Sequence, residues 1–277
     1  MRTLLLLALL FSLELNAAPV MFYQPLNQDA ELSISQWQQL WVATHEAGVE
    51  TLIVQWTRHD DSEFANEDGW LIPALRQANQ AGLELVLGLH YRPDYYSVIH
   101  QADDDRLKFA WHRWLAEALS RYRRLREVSD LSVHGWYLPL ELDDRTYASR
   151  QAQIELVAQL QSFVGHLDAP LHLSSYSNAS LTPRTHAQWL ERLSAVAQVW
   201  WQDGMGAGVL DEEILQAYRK ALPCDIGIVH EAFSRDSGLH ESFSASPREP
   251  QSSAGCNPAA LFSLRYMPWS SKILRLP

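Results

Sequence analysis

Eight short segments of the chain are rich in valine, isoleucine, leucine and aromatic residues. They lack the alternation of apolar and polar positions that marks a half-exposed strand, and continuous apolar character is typical of a sheet covered on both faces. The pattern therefore predicts eight buried strands, at residues 20–24, 51–57, 84–90, 135–141, 171–176, 198–203, 225–231 and 261–267.

Most of these strands are separated by segments in which apolar residues recur every three or four positions, the spacing of an amphipathic helix. The clearest segment covers residues 103–126, where Leu107, Trp111, Trp114 and Ala118 follow an aspartate-rich start. Strands that alternate with helices pair in parallel, and eight such units predict a closed (β/α)8 TIM barrel. The same spacing predicts further helices at residues 35–47, 71–81, 147–166, 185–195 and 211–222.

The alternation is interrupted in two places. Residues 233–258, rich in serine, proline, glycine and charge, replace the helix expected after the seventh strand. A loop of this length inside a domain is usually functional or mobile. Only residues 269–277 follow the eighth strand, so we expect the last helix to be missing. A chain of 277 residues could form two domains, but no segment resembles a linker, and we predict one α/β barrel domain over residues 19–277.

The first eighteen residues have the composition of a secretory signal peptide. Arg2 precedes an apolar run, and Asn16, Ala17 and Ala18 form a small-residue cleavage region. The run is shorter than the roughly 20 apolar residues that a spanning helix needs, although an uncleaved anchor is the alternative interpretation. We expect residues 1–18 to be removed, and the mature chain to be periplasmic or secreted without stable membrane insertion.

Charge and cysteine content add two expectations. The formal net charge is −11 and basic clusters are lacking, so nucleic acid is a poor partner. The two cysteines, Cys224 and Cys256, precede the seventh and eighth strands and so lie at the same face of neighbouring strands. Thiols of an exported chain tend to pair, and we predict a disulfide rather than a metal site.

Chemistry in a (β/α)8 barrel is concentrated at the C-terminal ends of the strands. Two of these ends carry a glutamate after an apolar run, Glu141 on the fourth strand and Glu231 on the seventh. Two carboxyl groups across a sugar ring cleave a glycosidic bond, since one protonates the leaving oxygen and the other attacks or activates water. The alternatives are structural: Glu141 could cap a helix or pair with Arg145, and Glu231 could pair with Arg235.

The other strand ends are rich in aromatic and amide side chains, which suit the apolar faces and the hydroxyl groups of a carbohydrate substrate. Several of these rings could instead fill the core, and Asp203 could simply form a turn. The predicted substrate-binding residues are Gln24, Gln55, Trp56, His90, Tyr91, Tyr137, Tyr176, Trp201, Gln202, Asp203, Tyr266 and Trp269.

Motifs for other chemistries are incomplete. The His-Glu pairs at positions 230–231 and 240–241 lack the second histidine of a zinc-protease motif, and the glycines at 204, 206 and 208 lack the lysine of a phosphate loop. The chain has no G-x-S-x-G nucleophile elbow. We therefore expect neither a metal nor an organic cofactor.

Five segments of the chain resemble a family of exported bacterial barrel proteins, the DUF4434 domain family: FYQP, LIVQWT, GWYLPLELDD, VWWQDGMGAG and HEAF. The resemblance extends over most of the mature chain and implies a barrel similar to glycoside hydrolases. It implies that Glu141, the Gln202 and Asp203 pair, and Glu231 belong to recurrent strand-end motifs.

A more distant similarity, to retaining glycosidases with catalytic residues after strands four and seven, implies that Glu141 is the acid/base and Glu231 the nucleophile. Those enzymes usually have asparagine before the strand-four glutamate, whereas Leu140 stands here. Gln202 or Gln55 would then have to hold the sugar 2-hydroxyl.

We expect a glycoside hydrolase of a polysaccharide or oligosaccharide. The alternative is a non-catalytic glycan-binding protein of an envelope or exopolysaccharide system; an esterase would need a metal triad or a nucleophilic serine that the sequence does not assemble.

Overall fold

A computed structural model describes residues 20–101, 103–238, 241–250 and 255–276, so the predicted signal peptide lies outside the described residues. Within these ranges each barrel strand pairs in parallel with the next, and the last pairs with the first, which closes the barrel. The predicted TIM barrel is confirmed. Its strands, β1 to β8, are Val20–Tyr23, Thr51–Val54, Glu84–Gly88, Val133–Tyr137, Leu171–Tyr176, Gln198–Gln202, Gly227–Glu231 and Ala259–Phe262.

The helices cover the outside of the barrel, and every one predicted from periodicity is present. Several begin where a side chain accepts a backbone N–H three residues ahead, as Ser33, Asp103, Ser149 and Thr182 do. One short helix, Tyr95–Gln101 in the connection between β3 and β4, was not predicted. The helices α1 to α7 of the described residues are Ile34–Glu46, Leu71–Gln80, Tyr95–Gln101, Asp104–Val128, Arg150–Val164, Pro183–Ser194 and Glu212–Ala221.

The fourth strand ends earlier than the apolar pattern predicts. It stops at Tyr137, because Pro139 has no N–H to donate to a strand ladder, and the N–H of Leu140 bonds back to the carbonyl of Leu138 at 2.8 Å. The chain pairs again at Leu142–Asp143, in parallel with the end of β5. Glu141 therefore lies in a turn beyond the barrel strand rather than on the strand itself.

The connection after β7 contains more structure than the sequence pattern predicts. Phe233–Arg235 and Ala245–Pro247 form an antiparallel hairpin, and the N–H of Arg235 donates to the carbonyl of Gly206 at 2.9 Å. The hairpin is therefore tied to the loop after β6. The predicted disulfide between Cys224 and Cys256 is present and closes this connection at its base.

The chain does not continue as a strand after β8. That strand ends at Phe262, and Leu264–Tyr266 form a 3-10 turn where the sequence pattern extends the strand to residue 267. No α-helix follows in the part of the chain that the structure describes, as expected. None of the described helices is long and apolar enough to cross a membrane.

The core has two layers. Most buried tryptophans fill the space between the helices and the barrel. These rings therefore serve packing rather than substrate binding, which is one of the two alternatives that the sequence allowed. The helix layer includes Trp37, Trp41, Trp111, Trp114, Trp136, Trp189 and Trp201. The interior of the barrel is filled by Phe22, Ile53, Val86, Tyr137, Trp200, Val229 and Ala260.

Replacing both cysteines by serine should lower the free energy of unfolding by about 3 to 4 kcal/mol. The bridge joins positions 32 residues apart, and losing this link restores loop freedom to the unfolded chain. Urea denaturation of the Cys224→Ser/Cys256→Ser variant measures the change. Reduced wild-type protein is the control and should match the variant; equal midpoints for the oxidised wild type and the variant would contradict the prediction.

Candidate functional site

A cavity of about 210 Å³ opens at the C-terminal face of the barrel, above the ends of β4 to β7. Both predicted catalytic glutamates contribute to it, although β4 and β7 lie apart in the sheet. The cavity is lined by Glu141, Tyr176, Ser177, Asn178, Gln202, Gly204, Ala207, Val209, Leu210, Leu215 and Glu231.

Glu141 is held by hydrogen bonds to both carboxylate oxygens. The amide of Gln202 donates to Oε1 at 2.9 Å, and the hydroxyl of Tyr96 on α3 donates to Oε2. The hydroxyl of Tyr95 donates to the main-chain carbonyl of Glu141 at 2.7 Å, which fixes the turn. In the described residues no ion pair joins Glu141 to Arg145, so its carboxylate is directed by neutral donors towards the cavity.

Glu231 is almost completely buried and accepts hydrogen bonds from the main chain. The N–H groups of Gly206 and Ala207 each donate to its Oε2 at 2.6 Å. Gly206 is required for this approach, since a Cβ there would lie 2.2 Å from the carbonyl oxygen of Phe233. The guanidinium of Arg235 binds Ser237 and the carbonyl of Gly238 instead of Glu231.

The pKa of Glu231 is raised to about 7. Burial is the largest cause, because a buried carboxylate loses its hydration. The N–H groups of Ala207 and Gly206 lower the pKa, whereas the charges of Asp203 and Glu141 raise it further. The two predicted catalytic carboxyl groups therefore interact electrostatically across the cavity, and Glu231 can hold or release a proton near neutral pH.

Asp203 lies behind the cavity lining rather than in it. Its carboxylate is 2.8 Å from Nδ1 of His230 and accepts a hydrogen bond from Arg219 at 3.1 Å. It also accepts the N–H of Met205 at 3.2 Å. With 2% of its surface exposed, Asp203 anchors the loop that supports Glu231, which agrees with the turn role that the sequence left open.

The acidic run after β4 has divided roles. Asp143 accepts the N–H groups of Arg145 and Thr146, which closes its own turn. Asp144 is fully buried and binds the N–H groups of Asn178, Ser180 and Leu181 in the loop after β5. These two aspartates therefore shape the loops around the cavity, and Glu141 is the carboxylate of this run that faces it.

Another group of predicted residues lies at the ends of β1 to β3. The rings of Trp56 and Tyr91 are 5.2 Å apart, and His59 stacks on Tyr91 at 4.6 Å. Burial, and to a smaller extent the charge of Glu141, raises the pKa of Tyr91. Gln24 and Gln55 bond to each other through their side chains at 3.0 Å.

His90 lies beside the same aromatic group and is half-buried. Its Nδ1 is 3.8 Å from a carboxylate oxygen of Glu117. Burial and the neighbouring charge of Arg58 lower its pKa, so the ring is neutral at pH 7 and can donate or accept a hydrogen bond.

Besides Asp203, four more predicted substrate-binding residues are placed away from the cavity surface. Tyr137 points into the barrel and bonds Ser174 at 2.7 Å, while Trp201 is fully buried. Successive strand residues face opposite sides, so Trp201 packs beneath the helices while Gln202 reaches the cavity. Tyr266 and Trp269 follow the end of β8, where Tyr266 packs on Phe233 and Trp269 donates to Thr44 of α1 at 3.2 Å.

Sequence reasoning missed several residues of the site. Tyr96 stands in the connection between β3 and β4, and only the paired tyrosines at positions 95 and 96, next to a strand end, signalled it. Burial and the charge of Glu141 raise the pKa of Tyr96 well above its usual value, so the phenol remains a donor. Asn178 and Leu210 were also missed, because they lie in loops without a periodic pattern.

Comparisons with known proteins add a family and a fold. A family model described as "Domain of unknown function (DUF4434)" matches residues 21–249. The "Uncharacterized protein YbcH" of Escherichia coli (strain K12) is 31% identical over 273 residues, which covers 91% of each chain. A crystal structure described as a "putative alpha-L-fucosidase" from Bacteroides thetaiotaomicron VPI-5482 has a TM-score of 0.61 at 14% identity, covering 90% of this chain and 88% of that one. That likeness shows the fold.

The raised pKa of Glu231 predicts a pH dependence of stability. Between about pH 4.5 and about pH 7 the folded state binds more protons than the unfolded state, because the carboxyl group of Glu231 has its usual pKa of 4.5 in the unfolded chain. The stability that this proton provides is present below pH 4.5 and is lost as the pH rises through 7. As the pH rises from 4 to 8, the free energy of unfolding of the Glu231→Gln variant should therefore increase by about 3 kcal/mol relative to that of wild type.

Urea unfolding at a series of pH values measures this difference. Glu241→Gln, which removes the same charge at an exposed position of the following hairpin, is the matched control and should keep the wild-type profile. Parallel profiles for wild type and Glu231→Gln would contradict the raised pKa.

Proposed function

This chain belongs to the DUF4434 family, and we propose that it is an exported glycoside hydrolase whose catalytic residues are Glu141 and Glu231. The proposal rests on one observation: two carboxyl groups, one from the connection after β4 and one from the end of β7, meet at a single cavity in unlike environments. Pairs of this kind supply the acid and the nucleophile or base of glycosidic cleavage. The fold shared with the structure described as a "putative alpha-L-fucosidase" agrees with the proposal.

Glu231 is the better proton donor of the pair. With a pKa of about 7 it is protonated in a large fraction of molecules at neutral pH, and a general acid works best when its pKa is near the working pH. Its Oε2 is occupied by the N–H groups of Gly206 and Ala207. The proton therefore resides on Oε1, from which it passes to the oxygen of the leaving group.

Glu141 then acts as the nucleophile or as the base that activates water. The donors Tyr96 and Gln202 each bind one oxygen of the Glu141 side chain and so hold it in position. This assignment exchanges the roles that the distant resemblance to retaining glycosidases implies. The environment of each carboxyl group, rather than its strand number, is the reason for the exchange.

Other residues in and around the cavity, predicted or not, have graded roles in the proposal. Gln202, Tyr176 and Asn178 line the cavity and supply amide and hydroxyl groups for the sugar. The rings of Tyr91 and His59, which pack on the buried Trp56 beyond the ends of β2 and β3, offer an apolar face to a further sugar ring. The disulfide suits an oxidising compartment outside the cytosol, where a polysaccharide or oligosaccharide would be met.

The two roles can be separated with glycosides of different leaving groups. Glu231→Gln should slow hydrolysis of natural oligosaccharides by about 10²- to 10⁴-fold, because the leaving oxygen loses its acid. It should affect dinitrophenyl glycosides far less, since that leaving group departs without a proton. Glu141→Gln should abolish turnover of both substrate types, measured as product release by purified protein.

Glu241→Gln is the matched control and should hydrolyse both substrate types like wild type. Equal rates for wild type and both site variants would remove the assigned roles. Binding of glycans by wild type without any product would instead support the non-catalytic glycan-binding protein.

Tyr96→Phe should slow hydrolysis by roughly 10-fold, because one hydrogen bond to a charged group is worth about 1.5 kcal/mol or more. The change keeps the ring and removes the hydroxyl that donates to Glu141. Comparison with Tyr122→Phe, on the outer helix α4, controls for loss of a phenol elsewhere. A Tyr96→Phe enzyme with the wild-type kcat would contradict the role of this hydrogen bond.

A further inference from the structure

The cavity has two walls of opposite character. One wall is polar and contains Glu141, Gln202, Tyr176 and Asn178. The other wall comes from the loop after β6 and the first turn of α7, and it consists of the apolar residues Ala207, Val209, Leu210 and Leu215. We call this second surface the apolar wall.

The apolar wall is part of the folded site. Leu215 is 5% exposed, and its Cδ2 would lie 3.6 Å from a Cβ at Gly204, so the first turn of α7 packs directly on the loop. Gly206 and Ala207, at the start of the wall, donate to Glu231. The wall is thereby held next to the proposed proton donor, where the sugar ring that undergoes cleavage must lie.

The volume of the cavity limits what can lie against this wall. At about 210 Å³ it is smaller than the roughly 300 Å³ at which pockets for drug-sized ligands begin. It therefore suits one sugar ring. A common hexose carries hydroxyl groups on nearly every carbon, and a hydroxyl placed against this wall would lose its water without gaining a partner.

We propose that the sugar bound in this cavity is a 6-deoxyhexose, whose methyl group packs on the apolar wall while its ring hydroxyls bind the polar wall. The inference rests on the proposed function and names its substrate class. An acetamido methyl fits the wall less well, because its amide N–H and carbonyl both need partners. The main-chain donors at Gly206 and Ala207, where the wall begins, are already bound to Glu231.

Matched pairs of nitrophenyl glycosides that differ only in the 6-hydroxyl test the proposal: L-fucoside against L-galactoside, and L-rhamnoside against L-mannoside, in both anomers. In at least one pair, kcat/KM for the deoxy sugar should exceed that for its partner by about 10- to 100-fold, the range in which an apolar pocket discriminates. A ratio of one or less in every pair, or faster turnover of an N-acetylhexosaminide, would overturn the inference.

Two variants connect the preference to the wall. The preference is the ratio of kcat/KM for a deoxy sugar to kcat/KM for its 6-hydroxyl partner. Leu210→Asn keeps the size of the side chain and should reduce this deoxy preference to less than a third of its wild-type value. Val209→Thr keeps the shape at a position that is 54% exposed, so it folds in any case, and it should reduce the preference in the same direction. Ile214→Asn, on the exposed side of α7 outside the cavity, should keep it. An unchanged preference in both wall variants would contradict the assignment.

Binding of the free sugars separates this inference from the proposed function. Calorimetric titration with L-fucose, L-galactose, L-rhamnose and L-mannose gives Kd ratios that do not depend on catalysis. A protein that hydrolyses no glycoside but binds a deoxy sugar about 10-fold more tightly or better retains the inference and loses the hydrolase. Hydrolysis without any deoxy preference would support the hydrolase and contradict the inference about the sugar. A protein that neither binds nor hydrolyses these sugars would contradict both.

Discussion

The site depends on the two hydrogen bonds that the N–H groups of Gly206 and Ala207 donate to Glu231. A buried carboxyl group must find partners within the protein, and here they come from the main chain rather than from a cation. Neutral donors hold the group without fixing its charge, so it remains able to take up a proton. Because the contact requires a glycine under Phe233, the loop after β6 and the hairpin after β7 form one packed unit.

The barrel could be predicted from the sequence because its elements follow simple periods. The fifth strand was predicted at the residues where it is found, and the long helix α4 was recognised from its repeating apolar positions. Errors occurred where a single residue overrides the pattern. Pro139 ends β4 four residues before Glu141, and the apolar residues after Phe262 form a 3-10 turn rather than a strand.

The site was harder to predict than the barrel because it depends on residues that have no common period. Glu141, Asp143 and Asp144 are equivalent in a sequence pattern, yet two of them bind loop N–H groups and one faces the cavity. Trp201 and Gln202 differ only by strand alternation, and a shift of one residue exchanges their directions. The contact of Tyr96 with Glu141 joins positions 45 residues apart, which periodicity does not reveal.

The bridge between Cys224 and Cys256 spans β7, the hairpin and the approach to β8. β8 pairs with both β7 and β1, so it is the strand that closes the barrel. A protease that cut the exposed connection between the two cysteines would therefore leave two fragments still joined covalently. The strand that completes the barrel would stay attached, and the nicked protein would migrate as a single band until its sulfurs were reduced.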